Sequence, residues 1–363
     1  MSLRIEPRAE PSRAMTLVTP VIAVALTVLV GFVLFALMGY DPLAALFHFF
    51  VSPLLTLYGL GELGVKATPL VLCAVGLAIG FRANVWNIGA EGQLTMGAIA
   101  GGGVALWFWG MEGGWILPLM CAAGVAGGAA YAAIPAFLKA RFDVNEILTS
   151  LMLTYVATLF LSLLVHGPWR DPDGFAFPES RLFSPSAVLP VILEGTRLHV
   201  GAPVALFVAV AGWVLLTRTI VGFEVRVVGQ APLAARFAGF SRTRMIWFTL
   251  LVSGGLAGLA GLFEVAGPIG QLVPVISPGY GFTAIIVAFL GRLHPLGIVA
   301  AGLLIALSYI GGENAQIMVG LPQAVTGVFQ GLLLFFLLAC DVLVRYRVRF
   351  AASPSRREVH SAR

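Results

Sequence analysis

Long apolar runs, each interrupted by a short polar or Gly/Pro-rich stretch, recur along the whole chain. A helix needs about 20 mostly apolar residues to cross the hydrocarbon of a bilayer. Ten such windows can be laid along the sequence, at 17–39, 63–81, 88–110, 115–138, 147–166, 200–216, 245–266, 281–291, 295–312 and 321–343. The eighth is too short to cross alone and predicts a tilted, broken or half-length helix. The pattern predicts an all-α, polytopic helical membrane protein with at least one broken helix. It divides into a cytoplasmic tail over 1–16, a single transmembrane domain over 17–344 and a basic cytoplasmic tail over 345–363. The first window is too long for the apolar core of a signal peptide and is expected to be a retained span.

The polar interruptions are not alike. Residues 81–102, FRANVWNIGAEGQLTMGAIAGG, place Arg82, Asn84, Asn87, Glu91 and Gln93 among glycines between two good spans. Unsatisfied backbone in hydrocarbon costs several kcal/mol, so a helix breaks there only where protein or a water-filled cavity surrounds it. Glu91, if it lies at depth, must face a polar interior. Asn87 and Gln93 can hydrogen-bond an uncharged polar solute or the freed backbone. An inner loop with Asn87 capping the next helix and Glu91 in its first turn accounts for the same residues, and both readings stay open. Residues 167–199, rich in proline, predict an irregular external cap, and residues 217–244 predict a basic cytoplasmic loop in which Pro232 opens a short helix. Gly97/Gly101, Gly124/Gly128 and Gly254/Gly258 have the spacing that lets helices pack closely in lipid.

Composition agrees with the pattern. Hydrophobic residues make up 59% of the chain and charged residues 11%, against about 25% charged in a soluble domain, and the mean hydropathy is +0.96. The net charge of +5 would suit nucleic acid, but its distribution does not. With both termini inside and the loops alternating, of the basic residues only Arg170, Arg181 and Arg197 fall outside, with Lys66 near the start of a span, which is the bias that orients membrane bundles. No nucleic-acid partner is therefore expected. Cys73, Cys121 and Cys340 are far apart within apolar windows and suggest neither disulfides nor a metal site.

FRANVWNIGAEGQLTMGA resembles the motif of permease subunits of bacterial ABC importers for nucleosides and related simple sugars, a branch of the ribose and branched-chain amino acid permease family. GYGFTAIIVAFLGRLHPLGIVAAGLL, residues 279–304, is similar to the family's second signature, and with GQAPLAARFAG the likeness runs from about residue 60 to 340. The resemblance implies a multi-pass subunit of the bacterial inner membrane and a second, related permease subunit. It also implies separate ABC ATPase subunits, an external substrate-binding protein and surrounding membrane lipids. It implies a solute path, for which Asn84, Asn87, Glu91 and Gln93 from the first motif and Tyr280 and Phe282 from the second are the expected residues. It further implies a cytoplasmic helix that docks on the ATPase. Ala234, Ala235 and Gly239 keep the spacing of the usual Glu-Ala-Ala-x-x-x-Gly, with Leu233 in place of the Glu. Arg236 lies within it, and Arg226, Arg242 and Arg244 around it can pair with acidic groups on a partner.

No Gly-Lys-Ser/Thr phosphate loop occurs, since the two lysines, Lys66 and Lys139, follow Val65 and Leu138. ATP hydrolysis is thus expected on another chain, with no catalytic residue, cofactor or metal here. The alternative is an ion-coupled secondary transporter of a small polar solute, because Glu91, Glu264 and Glu313 lie in or beside apolar spans. Against it, Glu264 and Glu313 are expected near external span ends, where carboxylates are readily solvated.

Overall fold

A computed structural model describes the backbone of residues 2–7 and 13–351 and the side chains of 18–340. Of the two expected tails, residues 1, 8–12 and 352–363 lie outside the described residues. The chain forms two compact units, residues 49–314 and residues 1–48 with 315–363.

The larger unit contains α3 (Leu57–Arg82), α4 (Ala90–Trp107), α5 (Ile116–Phe142), α6 (Glu146–His166), α7 (Gly201–Arg218), α8 (Ile220–Gln230), α9 (Pro232–Phe237), α10 (Arg242–Glu264), α11 (Tyr280–Leu290) and most of α12 (Pro295–Val319). The smaller holds α1 (Arg13–Leu37), α2 (Pro42–Leu46) and α13 (Ala324–Arg345). Each of the ten apolar windows coincides with one of these helices. Among the described residues, seven helices are long and apolar enough to cross a membrane. The 18-residue α4 is not one of them, because Glu91, Gln93 and its glycines lower its hydropathy. It is nonetheless central, packed between α5, α6, α10 and α11. The short apolar segment Pro42–Leu55, with α2, a π-turn and a 3-10 turn, has no counterpart among the predicted windows.

Small residues let α4, α5 and α10 meet backbone to backbone. A Cβ added to Gly97 would fall 2.1 Å from Gly258 Cα, one on Gly128 2.2 Å from Gly254 O, and one on Gly258 2.2 Å from Gly124 O. The three glycine pairs read from the sequence thus form one seam, where dispersion between closely fitted helices replaces the hydrophobic drive that lipid removes.

The segment 167–199 is irregular, with one 3-10 turn at Pro185–Ala187. It runs back along the end of α10: Ser180 N–H donates to Leu272 O, Phe183 N–H to Gly270 O and Leu189 N–H to Ala266 O, at 2.9, 2.8 and 2.8 Å. In the smaller unit, Phe35 stacks on Phe329 at 5.5 Å and the Tyr40 hydroxyl donates to Gly320 O at 3.0 Å. There Ser2–Pro7 and Tyr346–Ala351 pair as a short two-stranded antiparallel ladder at the chain ends.

Candidate functional site

The break predicted near position 87 is present, and the chain supplies what its backbone needs. α3 stops because Asn84 takes a left-handed φ of 56°, which Asn tolerates better than most residues. Val85 N–H then donates to Gly80 O and Asn84 N–H to Phe81 O, the paired bonds that close a helix C-terminus. Residues 83–89 run without helix to α4. Three of their amides reach side chains: Trp86 N–H points to Glu146 Oε1 at 3.4 Å, Ile88 N–H to Ser150 Oγ at 3.2 Å and Gly89 N–H to Asn87 Oδ1 at 3.2 Å. Glu146 is in turn held by Lys139 at 3.0 Å.

Asn87 is 1% exposed and fully engaged. Its amide donates to Gln93 Oε1 at 2.7 Å and Ser253 Oγ at 3.0 Å, and its Oδ1 accepts from Gln93 Nε2 at 2.9 Å besides Gly89. It therefore makes all the bonds its amide can make, joining the break to α10. The N-cap of α4 is Gly89, with no side-chain cap, so Asn87 forms a local turn rather than the cap the sequence suggested.

Glu91 ties two helix starts together. It stands in the first turn of α4, and its Oε2 accepts from Gly281 N–H at the start of α11, at 2.6 Å. Ser277 Oγ takes the amides of Gly279 and Tyr280, at 3.1 and 2.8 Å. A Cβ on Gly281 would lie 2.3 Å from Glu91 N, so the two N-termini touch. Helix N-termini carry partial positive charge, and a carboxylate between two of them is favoured twice. At 11 residues α11 is about 16 Å long, half a bilayer core, as its short window predicted.

The expected path residues do not form one cluster. Asn87, Glu91 and Gln93 lie together, and Tyr280 adjoins them through Gly281. Phe282 is 38% exposed. Asn84 is exposed elsewhere, its Oδ1 accepting from Trp86 Nε1 at 3.1 Å. It borders a cavity of about 320 Å³ also lined by Lys139, Gly229, Pro232 and Arg242.

That cavity adjoins the expected docking helix. Pro232 occupies the first turn of α9. Gly239, at φ +81°, ends it: its N–H donates to Arg236 O and the Phe240 N–H to Ala235 O, the same closure that ends α3. Ala235 packs inward with Val85, Val228, Met245 and Ile246. Ala234 and Arg236 are exposed, and Phe237 is 92% exposed. Arg242 lies 3.6 Å from Asp143, so one of the basic residues is engaged within the chain.

A second polar group, read only in part from the sequence, sits toward the other end of α3. Glu62 receives Arg197 Nε and Nη2 at 2.8 and 2.5 Å, and this bond raises the Arg197 pKa above its ordinary value. His199 Nδ1 accepts from Gly201 N–H at 3.1 Å, and burial lowers its pKa to about 4, the Glu62 charge acting weakly the other way. Lys66 lies 3.4 Å from Glu313. Glu264 is 7% exposed. The expectation of a readily solvated Glu264 is corrected here: its side chain is closed in within electrostatic reach of Lys66, Arg197 and Glu62. The signal in the sequence was Glu62 and Lys66 four residues apart on one helix.

A family described as branched-chain amino acid transport system / permease component matches residues 59–338. A glucose ABC transporter permease protein of Haloferax volcanii is 39% identical, over 97% of this chain and 94% of its own length. A guanosine ABC transporter permease protein of Bacillus subtilis is 32% identical, over 92% and 95%. A nucleoside ABC transporter permease protein of Lactococcus lactis is 28% identical, over 88% and 89%. No solved structure matches this chain.

Proposed function

The chain belongs to the permease-component family of branched-chain amino acid transport systems, and from that premise we propose that it forms the path of an ATP-driven importer for a nucleoside or related simple sugar. The curated relatives named for such solutes match nearly end to end. Permeases of this family work with a separate ATPase and a solute-binding protein. In the proposed assembly this chain pairs with a related second permease among the lipids of a bacterial inner membrane, with ten crossings and both termini inside.

The observation that carries the reading is the line of buried polar groups through an otherwise apolar bundle, from Asn87 and Gln93 through Glu91 to Tyr280. Charged and amide groups at such depth are costly and mark solute routes by default. The Asn87 amide is filled by its bonds to Gln93, Ser253 and Gly89, so its role in the path is to hold the break. Gln93, Tyr280 and Phe282 are the groups a solute meets when the bundle opens, and Asn84 borders the cytoplasmic exit. Exposed Phe237 and Leu233 on α9 give the ATPase an apolar surface to grip, so that closing of the ATPases moves α9 against the α3–α4 break. A Cβ on Gly229, at the end of α8, would lie 2.0 Å from Arg82 O, so backbone contact transmits that movement.

The test is to purify the complex and measure ATPase activity with binding protein loaded with guanosine or with glucose. Stimulation by one loaded form over the empty form is expected. Equal activity with and without each solute contradicts the proposal.

A further inference from the structure

Tyr280 is wholly enclosed, at 0% exposure, yet its hydroxyl has no hydrogen-bond partner among the described residues. Leaving a buried polar group unbonded costs about 1–3 kcal/mol, and phenylalanine would fill the same space without that cost. Violations of this kind gather at functional sites, where another state of the molecule uses the group.

The surroundings are those of a binding site. The ring of Tyr280 meets Tyr309 edge-on at 5.5 Å, and the Tyr309 hydroxyl is 2.9 Å from Thr283 Oγ1. The Lys66 ammonium stands 6.0 Å from the centre of the Tyr280 ring while paired with Glu313. Glu264, at the end of α10, lies within electrostatic reach of Lys66 and Tyr280. Four helices, α3, α10, α11 and α12, thus point hydroxyls, an ammonium and carboxylates at one region beside the Glu91–Gly281 contact.

We propose that Tyr280, Lys66, Thr283 and Tyr309 form a subsite for the hydroxyl groups of an uncharged sugar, either free or as the ribose of a nucleoside. The inference rests on the proposed solute path and names what that path recognises. A sugar hydroxyl both donates and accepts, so it can satisfy a phenol, an ammonium and a carboxylate in turn. Lys66 is already paired with Glu313, so a phosphorylated or other anionic solute would have to displace a carboxylate to reach the ammonium, whereas an uncharged hydroxyl need not. Tyr280 acts through its hydroxyl, and a stacking role for its ring is not required.

The test uses the assembled complex in liposomes, with its binding protein and ATP, and measures initial uptake of tritiated glucose and tritiated guanosine. Whichever solute the wild type carries identifies the sugar as free or as part of a nucleoside. Tyr280→Phe is expected to lower the maximal uptake of that solute at least about tenfold, one tenfold step being about 1.4 kcal/mol. It should also abolish the wild type's preference for the solute over its deoxy analogue. The thermal midpoint should hold or rise, since an unbonded hydroxyl is removed. Lys66→Met, which keeps the stem and removes the charge, should lower uptake as well. Tyr280→Phe uptake at the wild-type rate, with discrimination intact, overturns the inference and leaves the solute path standing. A wild-type complex that takes up neither solute overturns the solute class and the inference with it.

Discussion

Glu91 Oε2 accepts the backbone N–H of Gly281 at 2.6 Å, so one carboxylate serves the first turns of two helices 190 residues apart. Glu91→Ala leaves that amide buried and unbonded, at an expected cost of about 2–3 kcal/mol. Glu91→Gln keeps an acceptor oxygen and loses only the charge–dipole attraction, about 1 kcal/mol. Thermal midpoints of the purified complex should therefore rank wild type, Gln, Ala. Equal midpoints for Gln and Ala would show that the Gly281 bond contributes nothing.

Much of this was legible in the sequence because lipid imposes a strong rule. Backbone must be satisfied internally, so every apolar window had to be helix, and the polar break at 83–89 and the short α11 stood out against that background. The partners of the break were not legible. Ser150 and Ser253 are single serines in apolar spans, where most serines simply bond their own helix, and nothing local says that Asn87 reaches Ser253, 166 positions away. Glu264 was misjudged because the groups that surround it, Lys66, Glu62 and Arg197, come from distant parts of the chain. Pro42–Leu55 was missed because a short apolar run without period has no signature.

Gly258 lies where α5 and α10 touch through backbone, and a Cβ there meets Gly124 O at 2.2 Å. Backbone cannot turn aside as a side chain does, so Gly258→Ala must part the helices, at an expected cost of about 1–3 kcal/mol. Thermal unfolding in detergent reads this directly. A midpoint within error of wild type would mean that the seam is looser than described.

Gly239 ends α9 at φ +81°, where a side chain costs about 1–2 kcal/mol. Gly239→Val is expected to misdirect α9 without disturbing Asn87. In liposomes it should lower the solute moved per ATP hydrolysed severalfold, with ATPase activity retained. An unchanged ratio would place the docking contact elsewhere.

Glu62 is buried, and its bidentate partner Arg197 is half exposed. Arg197→Gln strands the carboxylate, at an expected cost of about 2 kcal/mol, below the figure for a fully buried pair because water reaches one partner. Adding Glu62→Gln should recover part of the loss. A double variant no more stable than the single one would show that the pair is not coupled.

Burial holds the His199 pKa near 4, against 6.5 ordinarily. Below about pH 6.5 the unfolded chain takes up a proton that the folded chain refuses. The stability contributed is whole above that pH and is lost as pH falls from 6.5 towards 4. The thermal midpoint should drop across this window, and less so in His199→Asn, whose side-chain oxygen can still accept from Gly201. Parallel curves for the two proteins would contradict the assignment.

The most direct measurement of the central claim is solute uptake into liposomes holding either this chain alone or the complete complex with its ATPase and binding protein. Accumulation by the complete complex alone, and only with ATP inside reach of the ATPase, is the predicted result. Accumulation by the isolated chain, driven by a proton or sodium gradient, would contradict it.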